Sequence, residues 1–303
     1  MNTLKWIIGI AVIVAVVAYV WVAVSMTKAL THAERHEQDE TPANYDVPFK
    51  AVSFSPRGEN FNLDGWYIAK PQNKATLIFI HGIGGTRSSL QRVHLAADLF
   101  RQGFNVLMFD LRAHGTSEGE IVSGGYFEQS DVLGAFDYVR QQGEAAQCTG
   151  LLGASMGAAT TLLAATKEPA IAAVVADSSY ADIDDLIVGE AARTSPLPRW
   201  SIPIFIPGMK FVAWLGYRIN LSSLKPEDAI GRLSYPLLLI HGASDERIPV
   251  SQSERLLSHA PENSELWIVL NAEHANGFAH QSKEYTYKVA AYFNARFFEL
   301  GCY

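Results

Sequence analysis

Six short, nearly unbroken apolar runs alternate with helix-like stretches along most of this chain, and that alternation leaves few folds open. The runs are Ala75–Ile80, Asn105–Phe109, Thr149–Leu152, Ile171–Ala176, Leu237–Ile240 and Leu266–Leu270. A strand that is apolar on both faces is buried on both, as in a sheet covered by helices on either side. Helical patterns stand at Leu90–Gln102, Phe127–Gln141, Ala158–Lys167, Ser251–Ser258 and Tyr285–Phe298. Strand and helix in turn predict an α/β fold with a parallel sheet. Phe49–Ser55 and Leu63–Ala69 read as an opening pair of strands. With 49% of 303 residues apolar, one large core can be filled.

Two stretches depart from the pattern. Trp6 to Thr27 carries no charged residue, and Lys5 and Lys28 bracket it. At about 1.5 Å per residue, such a helix crosses a hydrocarbon layer of ~30 Å. Trp6, Tyr19 and Trp21 suit interfacial positions. A signal peptide has an apolar region of only ~7–15 residues, so residues 1–28 are expected to be an uncleaved single-pass anchor. Flanking positive charge is nearly balanced. The expected orientation puts the N-terminus inside and the rest outside the cytoplasm, as short N-terminal anchors commonly insert. Residues 29–44 include His32–Asn44, which is charged and without apolar periodicity, and read as a solvated tether. His32 and His36 have a spacing that binds metal on a helix, but no third ligand accompanies them. The globular domain is expected over 45–303. Within it, residues 179–232 are too long for a simple connection and read as a lid-like insert. Its aromatics Trp200, Phe205, Phe211, Trp214 and Tyr217 could line an acyl pocket, pack onto the core, or meet the membrane.

Charge narrows the function. The chain has 24 basic and 31 acidic residues, a net of −7, and no basic stripe, a poor match to a phosphate backbone. Nucleic acid is not an expected partner. Cys148 and Cys302 make neither a disulfide framework nor a C-x-x-C site. Cys148 reads as a buried thiol and Cys302 as part of a frayed end.

The chemistry gathers at Gly153-Ala154-Ser155-Met156-Gly157, a G-x-S-x-G between a buried strand and a small-residue helix. A serine on a sharp strand-to-helix turn is exposed to substrate, and only small neighbours leave room for that turn. A hydroxyl needs a base to take its proton. His274 follows the last apolar run directly and is the expected base, with His280 its nearest rival. The base needs an acid to fix its tautomer and stabilise imidazolium. Asp245, just beyond Leu237–Ile240, is expected there; Asp177 is the rival, and Asp110 reads as part of a structural turn. His81 and His241 each end a strand in a His-Gly pair and are expected to satisfy backbone groups, while His114 sits in a turn. An oxyanion needs two N–H donors. Met156 should give one, and the loop His81-Gly82-Ile83-Gly84-Gly85 the other, through Ile83 or alternatively Gly84. That loop fails the G-x-G-x-x-G test for nucleotides, since Arg87 takes the sixth position from Gly82.

The set HGIGG, DLRAHGTSEG, GASMG, HGASDERIP and AEHA, in this order, resembles the α/β-hydrolase superfamily. The likeness spans roughly Phe49 to Phe298. It is nearest to carboxylesterases and to monoacylglycerol-lipase-like and serine-aminopeptidase-like enzymes. The resemblance implies a mostly parallel eight-stranded sheet, no cofactor, and hydrolysis of a small acyl substrate through an acyl-enzyme. Ala113, Ala154 and Ala158 depart from residues frequent in the family, and none of them removes a reacting group. The expected activity is carboxylic-ester hydrolysis. Serine aminopeptidase, thioesterase and lysophospholipase are alternatives on the same scaffold, and a non-catalytic membrane-tethered binding protein is the alternative from another class.

Overall fold

The computed structural model describes residues 2–303 apart from 33, 39, 72, 74 and 144. The strands are β1 (Lys50–Phe54), β2 (Leu63–Ile68), β3 (Ala75–Ile80), β4 (Phe104–Phe109), β5 (Thr149–Ala154), β6 (Ala173–Asp177), β7 (Leu238–Gly242) and β8 (Glu265–Val269). The helices are α1 (Asn2–Thr31), α2 (Arg92–Arg101), α3 (Glu128–Gln141), α4 (Met156–Ala165) and α5 (Ile183–Thr194). They continue with α6 (Ile206–Tyr217), α7 (Pro226–Ala229), α8 (Ser251–His259), α9 (Gly277–His280) and α10 (Ser282–Glu299). The expected runs differ from these by up to three residues at their ends, the largest gap being at the start of α10.

All eight strands form one sheet in the order β1-β2-β4-β3-β5-β6-β7-β8. β1 and β2 run antiparallel to their neighbours. The other six are parallel, so their carboxyl ends share one rim. β3, β4 and β5 are buried at every position, because helices cover both faces. Val132, Phe136 and Leu162 belong to the core on one side. Leu95, Leu99, Phe293 and Phe297 belong to the core on the other. Gly150 of β5 is open only to glycine, since a Cβ there would lie 2.9 Å from Cδ1 of Phe293.

Three features depart from the sequence expectation. Cys148 and Cys302 are joined in a disulfide, with Cα atoms 5.7 Å apart. The expectation of a lone buried thiol and a frayed end is therefore corrected. The two residues are 154 positions apart, and α10 carries the chain end back to β5, so no sequence pattern pairs them. The segment 29–44 is not simply solvated. Arg35 donates to the carbonyls of Ser117 (2.6 Å) and Gly119 (2.7 Å), and Gln38 to Asp110 (2.9 Å). The turn at 110–119 offers free carbonyls, and the guanidinium collects them. Finally, α1 is one continuous helix, long and apolar enough to cross a membrane, yet its last third packs on the insert. Tyr19 Oη donates to Ile204 O (3.1 Å) and accepts from the Gly208 N–H (3.1 Å). Ala23, Met26 and Thr27 are buried there.

The disulfide closes a long loop, and such bridges typically contribute about 2–5 kcal/mol. Cys302→Ser should lower the unfolding free energy by that order, read as a fall in the denaturant midpoint. A reductant should do the same to the unmodified chain and nothing further to the variant.

Candidate active site

Ser155 lies where β5 passes into α4. Its backbone is at φ 56° and ψ −125°, a region that costs a residue with a side chain about 1–3 kcal/mol. The turn is held because its neighbours are glycines. A Cβ on Gly153 would lie 2.7 Å from Ala158 Cα, and one on Gly157 would lie 2.5 Å from Ile80 O. The Ser155 N–H donates to Asp177 O (2.8 Å), which extends the β5–β6 pairing through the turn. The hydroxyl therefore sits over the sheet rim and at the N-terminus of α4, where the helix dipole favours negative charge.

His274 and Asp245 come from loops after β8 and β7. His274 Nε2 is 2.8 Å from Ser155 Oγ, and its Nδ1 is 2.7 Å from Asp245 Oδ2. The three side chains expected from the sequence thus form one hydrogen-bonded relay. Asp245 Oδ1 accepts from the Arg247 and Ile248 N–H groups at 3.0 and 2.9 Å. Burial would raise the Asp245 carboxyl, but hydrogen bonds from His241, His274 and the Ile248 N–H outweigh it. The carboxyl is held well below its ordinary value. The loops are pinned as well: Ser244 N–H donates to Ala272 O (2.9 Å), and Ala275 N–H to Ser178 Oγ (3.0 Å).

The rival residues are engaged elsewhere or face away. Asp177 accepts from Arg92 (2.9 Å) and Tyr285 (2.8 Å). Asp110 pairs with Arg87 at 2.8 Å. His280 is exposed on α9. His32 caps the end of α1, with Nδ1 3.1 Å from Lys28 O, and packs against Tyr217.

Of the two candidates in the loop after β3, the Gly84 N–H donates to His114 Nε2 at 3.1 Å. Among the described residues, none accepts from the N–H of Ile83 or of Met156. Gly82 brings this loop against the serine, since a Cβ there would lie 2.9 Å from Ser155 Cβ. His81 Nδ1 lies 2.8 Å from Gly82 O, and its Nε2 accepts from the Leu111 N–H at 3.0 Å. His114 Nδ1 lies 2.8 Å from Arg112 O. Backbone partners thus fix both rings as neutral tautomers. Burial lowers each to a pKa of about 4, from an ordinary 6.5.

Sequence reasoning assigned His241 to backbone groups alone. Its Nε2 is indeed 2.8 Å from Ile248 O, but it is also 3.2 Å from Asp245 Oδ2. Its Nδ1 is 2.6 Å from Ser253 Oγ. A hydrogen on Nε2 can be given to the two oxygens while Nδ1 meets the Ser253 hydroxyl. The signal was present as a histidine four residues before the acid, at the end of β7.

A cavity beside Ile83 is bounded by Thr27, Leu30 and Thr31 of α1 and by Leu186 and Met209 of the insert. The aromatics proposed as its lining do not reach it. Trp200, Phe211 and Trp214 are exposed, and Phe205 stacks on Tyr19 with centroids 5.3 Å apart. Smaller aliphatic side chains and α1 close the space instead.

Known proteins share this arrangement of elements. A family model described as alpha/beta hydrolase fold matches residues 75–201. YqkD of Bacillus subtilis (strain 168) is 30% identical over 241 residues, covering 78% of this chain and 76% of its own. The solved esterase Pf2001 of Pyrococcus furiosus superposes with a TM-score of 0.73 at 23% identity, over 88% of this chain and 98% of that one. Lysophosphatidylserine lipase ABHD12 of Danio rerio is 24% identical over 206 residues, 66% of this chain and 51% of its own.

His81 and His114 bear on stability as well as on the loop. Between about pH 6.5 and 4 these rings bind protons in the unfolded chain but not in the folded one. Their contribution therefore falls as the pH drops through that window and levels off below it. His114→Gln should flatten the slope of melting temperature against pH between 6.5 and 4. An unchanged slope would show that the His114 ring is not held neutral by burial.

Proposed function

The chain belongs to the α/β-hydrolase family, and on that footing we propose that it is a serine hydrolase of carboxylic esters working through an acyl-enzyme. The relay from Ser155 Oγ to His274 Nε2 to Asp245, at 2.8 and 2.7 Å, carries the proposal. Ser155 Oγ attacks the ester carbonyl while His274 Nε2 takes its proton. The tetrahedral oxyanion is received by the N–H groups of Ile83 and Met156. Ile83 is preferred to Gly84 because the Gly84 N–H is already given to His114. His274 then hands its proton to the departing alcohol, leaving an ester on Ser155. Water deacylates it by the same route, with His274 again the base. Asp245 keeps the imidazole in the tautomer that presents Nε2 as acceptor and stabilises the imidazolium. His241 acts on Asp245 rather than on substrate, as a positioning residue.

An ester is favoured over a peptide amine. The cavity beside Ile83 is apolar, and Glu190, the carboxylate among its lining residues, is paired with Arg247 and Arg193. No lining carboxylate is left to hold a substrate ammonium. The likeness to a lysophosphatidylserine lipase favours a second, narrower reading, a lysophospholipid ester. In this reading α1 anchors the protein in a membrane. The Cys148–Cys302 disulfide supports placing the remaining chain on the oxidising side.

A fluorophosphonate probe should label the protein, and Ser155→Ala should abolish labelling. Ser155→Ala and His274→Ala should each lower kcat for a p-nitrophenyl ester by about a thousandfold or more. An intact chain that the probe does not label favours a non-catalytic binding protein. Gly82→Ala should also reduce labelling, since its Cβ would press on Ser155. Full labelling in that variant would show that the loop does not abut the serine.

A further inference from the structure

The insert exposes an apolar edge that its own fold does not explain. Trp200, Ile204, Phe211, Trp214 and Leu215 are 77%, 59%, 59%, 55% and 58% exposed. Surface patches of this kind mark contact with a membrane or a partner. The position of α1 decides between them. From residue 3 to residue 18 every α1 side chain is exposed, and contact with the insert begins at Tyr19. Starting at Trp6, a helix needs about 20 residues to cross ~30 Å, reaching to about Ser25. The residues that meet the insert, Tyr19 and Ala23, therefore lie inside that span. So do the insert residues against them: Ile204 and Phe205 touch Tyr19, and a Cβ on Gly208 would lie 3.0 Å from Ala23. If α1 spans, its partner in the insert shares its depth.

A path to the serine starts at the same level. A groove of about 340 Å³ runs between α1 and the α5 end, lined by Trp21, Val22, Met26 and Leu30 on one side and by Ala191 and Leu197 on the other. Leu30 also lines the cavity beside Ile83. That cavity is narrow, about 50 Å³, so an acyl chain entering it must displace the α1 side chains that close it. Leu30 therefore stands between a groove whose Trp21 end lies at bilayer depth and the cavity lined by Ile83, one of the two proposed oxyanion donors.

We propose that the apolar edge of the insert is immersed in the bilayer beside α1, and that the acyl chain of a membrane-resident ester reaches Ser155 through the α1–α5 groove, past Leu30. The α1 helix is then part of the substrate site as well as an anchor. The immersion rests on α1 spanning the bilayer. The acyl path rests in addition on the hydrolase reading above.

Two measurements on the full chain in phosphatidylcholine nanodiscs test it. In a Trp6→Phe/Trp21→Phe background, lipids brominated on their acyl chains should quench tryptophan emission. Adding Trp200→Phe/Trp214→Phe should remove most of that quenching. Equal quenching with and without the second pair overturns the immersion, whatever the protein catalyses. For the path, kcat/KM is measured for a long-chain monoacylglycerol in the nanodisc and for soluble p-nitrophenyl acetate. Leu30→Trp should lower the ratio of the first to the second at least tenfold. An unchanged ratio, with both esters cleaved, overturns the path and leaves the hydrolase reading standing. If the unmodified chain cleaves neither ester, the hydrolase reading fails and the path with it, while the quenching result still decides the immersion.

Discussion

Everything at the rim of this sheet depends on one backbone turn that a side chain would ordinarily avoid. Ser155 sits at positive φ, and it stays there because α4 lies so close to β5 and to the end of β3 that Gly153 and Gly157 have no room for a Cβ. The strain costs roughly 1–3 kcal/mol, and the surrounding packing holds it. In return the hydroxyl stands at a helix N-terminus, out of the sheet, within hydrogen-bond reach of His274. A serine continuing the extended strand would instead point its hydroxyl to one face of the sheet, under the helices that cover it.

The groups around that turn are held by backbone partners more than by one another. Asp245 accepts two loop N–H groups, His274 lies between two pinned loops, and His81 and His114 fix the loop after β3 through main-chain atoms. The arrangement leaves little to reorganise when charge develops, which is the property electrostatic stabilisation in a site requires. The wall of the neighbouring cavity is different. It is made by α1 and the insert, which meet through Tyr19, the Phe205 ring and aliphatic side chains rather than through sheet hydrogen bonds.

The ends of the chain are tied to the middle. Cys302 is bonded to the residue that precedes β5, and Arg35 gathers carbonyls of the turn that holds His114. The first tie reaches β5, which leads into Ser155, and the second reaches the turn whose His114 accepts from the Gly84 N–H.

The sequence by itself determined the layered α/β architecture and the serine turn, because both are local. Buried parallel strands need apolar residues on both faces, and the G-x-S-x-G run records a steric limit within a few residues of the serine. It also offered His274 and Asp245, because loops after parallel strands emerge on one rim whatever else the fold does. Only the tertiary structure decided the rest. The pairing of Cys148 with Cys302, the contact of His241 with Asp245, the engagement of the Gly84 N–H and the packing of α1 on α6 join residues with no common period or motif. Their partners are set by where helices lie on the sheet, and that is fixed by the sum of the packing rather than by any stretch of chain.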